Sequence, residues 1–137
     1  ALVREVLLSF EPLFYENHIQ LNTTLGQSFV VTDPGQLRRA CYLLLENAAN
    51  YTPEGGTVMV TTTATPSPRI SICNTGDGIT QQDEEKIFQR FYRGDTARTR
   101  KNNSYGLGLP IAKQIVEALG GTLTLSVKDT ICFTIRL

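Results

Sequence analysis

The start of the chain has apolar residues at intervals of three and four positions between residues 2 and 15. This spacing lines one side of a helix, so the segment is predicted to be helical, with at most an interruption near Pro12. The apolar stripe comprises Leu2, Val3, Val6, Leu7, Phe10, Leu13 and Phe14.

A second helix is predicted to begin at Asp33-Pro34, because aspartate caps free N–H groups and proline suits the first helical position. Pro53 and the following glycine pair are expected to end it. Its apolar face comprises Leu37, Ala40, Cys41, Leu44, Leu45 and Ala48. A third helix, residues 107–119, is closed by Gly120-Gly121.

Alternating or β-rich runs predict the strands. Residues 19–25 and 29–31, around Gly26-Gln27, indicate a hairpin, and residues 57–64 and 69–73 indicate an antiparallel pair. Two further strands are predicted at residues 122–127 and 131–137. Helices separated by antiparallel strand pairs favour the α+β class, a two-layer sandwich with helices on one face of the sheet.

The composition limits the function classes. At 137 residues, 41% of them hydrophobic, the chain fits one domain spanning residues 1–137. Thirteen basic and thirteen acidic residues give no positive field for nucleic acid, so no nucleic-acid partner is predicted. No apolar run is long enough to span a membrane. The odd count of three dispersed cysteines predicts reduced, buried thiols rather than disulfides or a zinc site.

Asn47, Asn50 and Tyr51 follow one another at helical spacing near the end of the second helix. Asparagine is a modest helix former, so two asparagines near a helix end need an explanation. Helix-end capping and turn formation explain them as well as a binding site does. A carboxamide oxygen is also a suitable ligand for Mg²⁺, which takes few protein atoms together with substrate phosphates.

Two glycine-rich turns are candidate nucleotide contacts. Residues 74–79 follow a strand with Gly76 and Gly78 one residue apart, which allows close backbone approach to a ligand. Residues 105–110, with Gly106 and Gly108, open into the third helix, where N–H groups can bind phosphate. Each pattern alone also fits an ordinary turn or helix entry.

The segment between the two turns has the features of a binding loop or lid. A short helical patch is predicted around residues 83–91, and Phe88 and Phe91 could clamp one end of the loop to the body. The loop also concentrates cations, which taken alone would indicate a solvated face. They are Lys86, Arg90, Arg93, Arg98, Arg100 and Lys101.

These four motifs together resemble the catalytic domain of bacterial sensor histidine kinases. Residues 44–53 resemble the N box, 74–79 the first glycine box, 87–95 the F box and 106–109 the second glycine box, in the family's order and spacing. The resemblance covers essentially the whole chain. It implies the Bergerat fold shared with gyrase, the chaperone Hsp90 and MutL: a mixed, mainly antiparallel sheet covered on one face by helices, with an ATP lid at about residues 80–105.

The resemblance also implies the ligands, ATP and Mg²⁺, and a role for each matched position. Asn47 would bind Mg²⁺, Tyr51 would pack near adenine, Asn74 would face the adenine amino group, and Arg93 would reach the terminal phosphate. Asn47 and Arg93 would be the catalytic residues. The implied nucleotide-binding set is Asn47, Asn50, Tyr51, Asn74, Gly76, Gly78, Ile79, Phe91, Arg93, Gly106, Leu107, Gly108 and Leu109.

Three positions depart from the family pattern. Leu43 replaces a polar residue facing the metal, Asn50 replaces a cation that touches phosphate, and Asn74 replaces an aspartate that accepts from adenine. The Asn74 carbonyl can still accept that bond, and its NH₂ group could donate to a neighbouring ring nitrogen. Weaker ATP binding is therefore expected.

The implied function is donation of the ATP γ-phosphate to a histidine on a separate dimerisation domain, from which a response regulator later takes it. His18, the only histidine, lacks the acidic neighbour of the family's phosphoacceptor and is expected at the surface or in packing. A monomeric fragment of a homodimeric parent, cytoplasmic but anchored to the membrane through the rest of the protein, is expected. The alternatives are a degenerate nucleotide- or protein-binding regulatory module and an anti-sigma-type serine kinase.

Overall fold

The computed structural model describes residues 2–26, 32–64, 67–76, 79–84, 86–89 and 108–137. Within these ranges three helices and five strands form the framework, with one short 3-10 helix. The elements are α1 (Leu2–Glu16), β1 (Gln20–Leu25), α2 (Pro34–Tyr51), β2 (Thr57–Thr63), β3 (Arg69–Asn74), the 3-10 helix (Gln81–Asp83), α3 (Gly108–Ala118), β4 (Thr122–Val127) and β5 (Ile131–Arg136).

The five strands form one sheet in the order β1-β2-β3-β5-β4. Strands β1 and β2 are parallel, whereas every other neighbouring pair is antiparallel. The sheet is therefore mixed and mainly antiparallel, as the resemblance implied.

The core lies between the sheet and the helices. Alternate residues of β3 and β5, including Ile72 and Phe133, are buried, and α2 and α3 contact strands β3 and β4 respectively. Residues on the opposite side of β3 and β5 are only half-buried. The predicted two-layer sandwich is confirmed. Its layers are held together mainly by the burial of apolar surface, which stabilises the fold by about 25 cal/mol for each Å² removed from water.

The helix boundaries follow the local signals in the sequence. Asp33 caps α2 by accepting from the N–H groups of Gly35 and Gln36, at 3.0 and 3.2 Å. Helix α1 continues through Pro12. After α1, His18 adopts a left-handed conformation with φ of 57°, exposed in the turn that leads to β1. This places the histidine at the surface, as expected.

One local prediction needs correction, and another is not tested. Strand β1 pairs in parallel with β2, and the second arm of the predicted hairpin, residues 29–31, lies outside the described residues. The helical patch predicted around residues 83–91 is replaced, where described, by the 3-10 helix at Gln81–Asp83 followed by turns. Side-chain hydrogen bonds to a neighbouring strand hold this segment, so its helical periodicity was misleading.

The cysteine prediction was wrong for two of three residues. Cys73 and Cys132 form a disulfide, because the antiparallel register sets them directly opposite each other on β3 and β5. Their separation of 59 residues conceals this proximity in the sequence. Cys41 is free and buried, as expected.

Candidate functional site

Helix α2 presents the first group of candidate residues. Asn47 and Tyr51 lie one turn apart and are buried, and Asn50 beside them is half-buried. The Nδ2 atom of Asn47 is inaccessible and has no hydrogen-bond partner. A buried donor without an acceptor costs about 1 to 3 kcal/mol, which is unusual for a residue with only a structural role.

The first glycine turn packs against the end of α2. Gly76 has φ of 141°, and a Cβ atom placed on it would lie 2.9 Å from the carbonyl oxygen of Tyr51. A side chain at this position would therefore both strain the backbone and collide with the helix end. The absence of a side chain keeps the turn beside α2.

Asn74 ends β3 at the same place and is 1% exposed. Its Nδ2 atom donates a hydrogen bond of 3.0 Å to the carbonyl oxygen of Thr75. Its Oδ1 atom is buried and has no partner. Asn74 therefore offers one unused acceptor.

The start of α3 approaches the middle of α2. A Cβ atom on Gly108, the first residue of α3, would lie 3.9 Å from Cδ2 of Leu43, one turn before Asn47. Leu109 is buried next to it. The described end of the second glycine box thus lies near the N box, and the side chain between them is the apolar Leu43.

The beginning of the predicted lid is fixed to the edge strand β4. Gln81 donates from Nε2 to the carbonyl oxygen of Val127, at 3.1 Å, and Glu84 accepts from the N–H of Val127, also at 3.1 Å. Both main-chain groups of Val127 are thereby paired. This contact also covers part of an otherwise open sheet edge.

Apolar contacts strengthen the same attachment. Ile87 is buried, and the Phe88 ring meets Phe133 of β5 edge to face, with centroids 6.0 Å apart. The Lys113 ammonium lies 4.8 Å from the centroid of Phe88. The predicted clamp is confirmed for Phe88.

Part of the predicted site lies outside the described residues. The positions concerned are Gly78, Phe91, Arg93, Gly106 and Leu107, together with five of the six cations of the loop. Among the positions that are described, Ile79 is buried and Gly108 is half-buried. The structure brings Asn47, Asn50 and Tyr51 together with Asn74 and Gly76 around the C-terminal half of α2.

Sequence reasoning missed three residues that support this site. Thr75 holds the carboxamide of Asn74, and Gln81 and Glu84 attach the start of the predicted lid to β4. Thr75 follows a polar residue at a strand end, which is a weak signal. Bonds to the distant Val127 have no local signal at all.

Within the part of the chain that the structure describes, the remaining chemical groups do not form a second centre. Burial raises the pKa of the Cys41 thiol to about 12, which keeps the thiol protonated and unreactive. In the described ranges, no cluster of three or more His, Cys, Asp or Glu side chains could hold a metal ion. None of the helices described here has the length and apolar character of a membrane span.

Comparison with known proteins identifies the family. Residues 32–137 match the family described as Histidine kinase-, DNA gyrase B-, and HSP90-like ATPase. The chain belongs to this family of ATPases. It is also 46% identical over 101 residues, 73% of the chain, to the sensor protein CiaH of Streptococcus pneumoniae, and 38% identical over 113 residues, 79% of the chain, to the sensor histidine kinase WalK of Bacillus subtilis.

Solved histidine kinase domains share the fold. The mycobacterial sensor histidine kinase MprB superposes with a TM-score of 0.88 at 28% identity, covering 99% of this chain and 92% of that one. The catalytic domain of the histidine kinase ThkA gives a TM-score of 0.82 at 26% identity, covering 99% and 90%. The chain spans only 22% of CiaH and 18% of WalK. This ATPase domain thus corresponds to the histidine kinase ATPase domain of two-component sensors.

Proposed function

We propose that residues 1–137 form a single domain that binds Mg-ATP and donates the γ-phosphate to a histidine on a separate dimerisation domain. Membership of the ATPase family supports nucleotide binding. The observation that carries the proposal is the unused, buried acceptor of Asn74, beside the glycine turn at the end of α2. An amino group of adenine would satisfy that acceptor and remove the cost of leaving it unpaired.

The Asn47 carboxamide suits the metal and phosphate end of the nucleotide. With the buried Nδ2 as it stands, the carboxamide would donate to a phosphate oxygen; a 180° rotation of the amide would place Oδ1 there to bind Mg²⁺. Leu43, one turn earlier, supplies no ligand. We therefore propose Asn47 as the ligand that α2 supplies to Mg²⁺, with water and phosphate oxygens also coordinating the ion.

The proposed reaction breaks the bond between the γ-phosphorus and the bridging oxygen of ATP and forms a phosphorus–nitrogen bond on the histidine ring. ADP leaves. The magnesium ion supplies charge neutralisation on the phosphates when bound. The chain's own residues orient the nucleotide: Asn74 and Tyr51 at the base, Gly106, Leu107 and Gly108 at the phosphates, and Arg93 at the transferred group.

We propose a cytoplasmic location, with the rest of the parent protein providing the membrane anchor, the dimerisation domain and contact with a response regulator. In a structure of ThkA in complex with the response regulator TrrA, part of the ThkA chain has the same fold, at 24% identity and covering 39% of that chain. We do not propose transfer of the γ-phosphate to His18 of this domain. His18 is exposed in the turn between α1 and β1.

Titration with ATP and ADP, with and without Mg²⁺, tests the binding step, and a micromolar to millimolar Kd is expected. Radiolabelled ATP should leave no stable phosphate on this domain alone, whereas adding a matching dimerisation domain should produce labelling. No binding at several millimolar nucleotide would instead favour the degenerate regulatory module. Labelling of a partner's serine would favour the anti-sigma type of kinase.

A further inference from the structure

An asparagine at the base-binding position has a specificity problem that an aspartate does not have. The two ends of a carboxamide are almost the same size, but one accepts and the other donates. If Asn74 could rotate freely by 180°, it would accept from a 6-amino purine in one orientation and donate to a 6-oxo purine in the other. Discrimination between the two purines then depends on what holds the amide.

Thr75 provides that restraint in this structure. The Asn74 Nδ2 atom lies 3.0 Å from the carbonyl oxygen of Thr75. A carbonyl oxygen can only accept, so the NH₂ end must face it and Oδ1 must occupy the opposite, buried side. This bond uses one of the two hydrogens of the NH₂ group, and the other remains for the donation to a ring nitrogen that the sequence suggested.

The Thr75 carbonyl is available to the Asn74 carboxamide because the Thr75 hydroxyl accepts the sheet hydrogen bond in its place. Continuing the β2–β3 register, Thr75 lies opposite Thr57, and its N–H donates to the Thr57 carbonyl at 3.0 Å. The return bond goes from the Thr57 N–H to Oγ1 of Thr75, at 2.9 Å. In an ordinary antiparallel pair the Thr75 carbonyl would accept this bond. The hydroxyl takes it instead, and the carbonyl binds the carboxamide.

Gly56 leaves room for the Thr75 hydroxyl to take this bond. A Cβ atom on Gly56 would lie 2.8 Å from Oγ1 of Thr75 and 2.7 Å from Cγ2 of Thr52. Glycine at residue 56 therefore lets the hydroxyl reach the main chain of Thr57. Three bonds to Thr75 and this close packing fix the position of its carbonyl.

We propose that Thr75 is a positioning residue that locks the Asn74 carboxamide with its acceptor toward the base, and so makes this site selective for 6-amino over 6-oxo purine nucleotides. The inference rests on the proposed function, in which Asn74 faces the base. An aspartate would select the 6-amino purine by itself, because both of its oxygens accept. The neutral Asn74 achieves the same selectivity only with Thr75 beside it.

The test compares the affinities of ADP and IDP, which differ at the 6-position of the purine, for the parental chain, Thr75→Val and Thr75→Ser. Valine has the shape of threonine without the hydroxyl, whereas serine keeps the hydroxyl. Thr75→Val should reduce the preference for ADP over IDP by about tenfold, the value of roughly one hydrogen bond. Thr75→Ser should retain the parental preference.

The same comparison in an Asn74→Asp variant distinguishes a positioning role of Thr75 from a general disturbance of the site. In Asn74→Asp both side-chain oxygens accept, so rotation changes nothing and Thr75→Val should leave the ADP to IDP ratio of that variant unaltered. An equal loss of selectivity in both backgrounds would overturn the inference. Circular dichroism and thermal unfolding of each variant establish that the comparison is made between folded proteins.

A nucleotide-free measurement tests the lock directly. The Asn74 side-chain NH₂ signals in ¹⁵N-resolved spectra should show hydrogen exchange with water that is slower in the parental chain and Thr75→Ser than in Thr75→Val. If Thr75→Val binds ADP with parental selectivity, the inference fails while the proposed function stands. A parental chain that binds neither nucleotide overturns both.

Discussion

At the scale of single residues, Asn47 separates a binding role from a structural one. Its buried Nδ2 has no partner, so removing the carboxamide relieves a desolvation cost that offsets part of the cavity it leaves. Asn47→Ala should weaken Mg²⁺-dependent nucleotide binding by about tenfold or more, the value of one charge-assisted contact, and should change the free energy of unfolding by only about 1 kcal/mol.

Calorimetric titration with and without Mg²⁺, together with urea unfolding, measures both effects. Glu46→Ala is the matched control, since Glu46 is the preceding residue on α2 and is exposed. An Asn47→Ala protein that is unfolded, or that binds Mg-nucleotide like the parental chain, would contradict the assignment.

Cys41 gives a prediction about stability at alkaline pH. Burial raises its pKa from 9.0 to about 12 in the folded chain. Between these values the unfolded chain has lost a proton that the folded chain retains, so the stability from this group is complete below pH 9 and is lost as the pH rises toward 12. The slope is at most about 1.4 kcal/mol per pH unit.

Urea unfolding at several pH values measures this slope. The pH values should lie between about 8 and 10.5, where the thiol of an unfolded chain ionises. Cys41→Ala should be less stable at neutral pH because of the cavity, but its stability should fall less steeply with rising pH. Parallel curves for the two proteins would show that the buried thiol contributes nothing to the pH dependence.

At the scale of elements, the disulfide joins two central strands. Cys73 on β3 and Cys132 on β5 close a loop with a sequence separation of 59 residues. Chain entropy predicts a stabilisation of about 4 kcal/mol for a loop of this length, and less where the unfolded chain is compact. Reduction, or the double variant Cys73→Ser/Cys132→Ser, should lower the free energy of unfolding by about 2 to 4 kcal/mol.

Urea unfolding with and without reductant is the measurement, and the double variant is the control that should not respond to reductant. Thiol titration of the denatured parental chain should detect one free thiol before reduction and three after it, because the sequence holds three cysteines. Three free thiols without reductant would contradict the disulfide.

The elements also show how well local patterns predicted the structure. Helix α2 was predicted closely because its start depends on Asp33-Pro34 and its apolar face on residues within a few turns. The 3-10 helix at Gln81–Asp83 was not, since Gln81 and the following Glu84 bond to Val127, which lies more than forty residues away. Register between strands likewise placed Cys73 beside Cys132 without any local signal.

At the scale of the whole molecule, nucleotide binding should be coupled to global stability. Ligand that binds only the folded chain stabilises it by RT ln(1 + [L]/Kd), which is about 1.4 kcal/mol at ten times Kd. Mg-ADP should therefore raise the thermal midpoint by several degrees for a domain of this size, and EDTA should remove most of the gain. Thermal scans across a nucleotide series measure the shift.

The Asn47→Ala variant serves as the control for this coupling, because its shift should be largely insensitive to Mg²⁺. A parental midpoint that does not move at nucleotide concentrations up to several millimolar would contradict binding to the folded chain. A shift of equal size with Mg²⁺ and with EDTA would contradict the role proposed for the metal.

The sequence by itself determined the class of the fold, its helices and most of its strands, because apolar periodicity and capping residues act over short distances. The order and spacing of its four motifs also indicated the family, since each motif is a continuous run of residues. The tertiary structure alone decided the parallel pairing of β1 with β2, the disulfide and the attachment of Gln81 and Glu84 to β4. The tertiary structure alone also decided the orientation of the Asn74 carboxamide. That orientation depends on the Thr75 carbonyl, which is left unbonded by Thr57 once the sheet has formed.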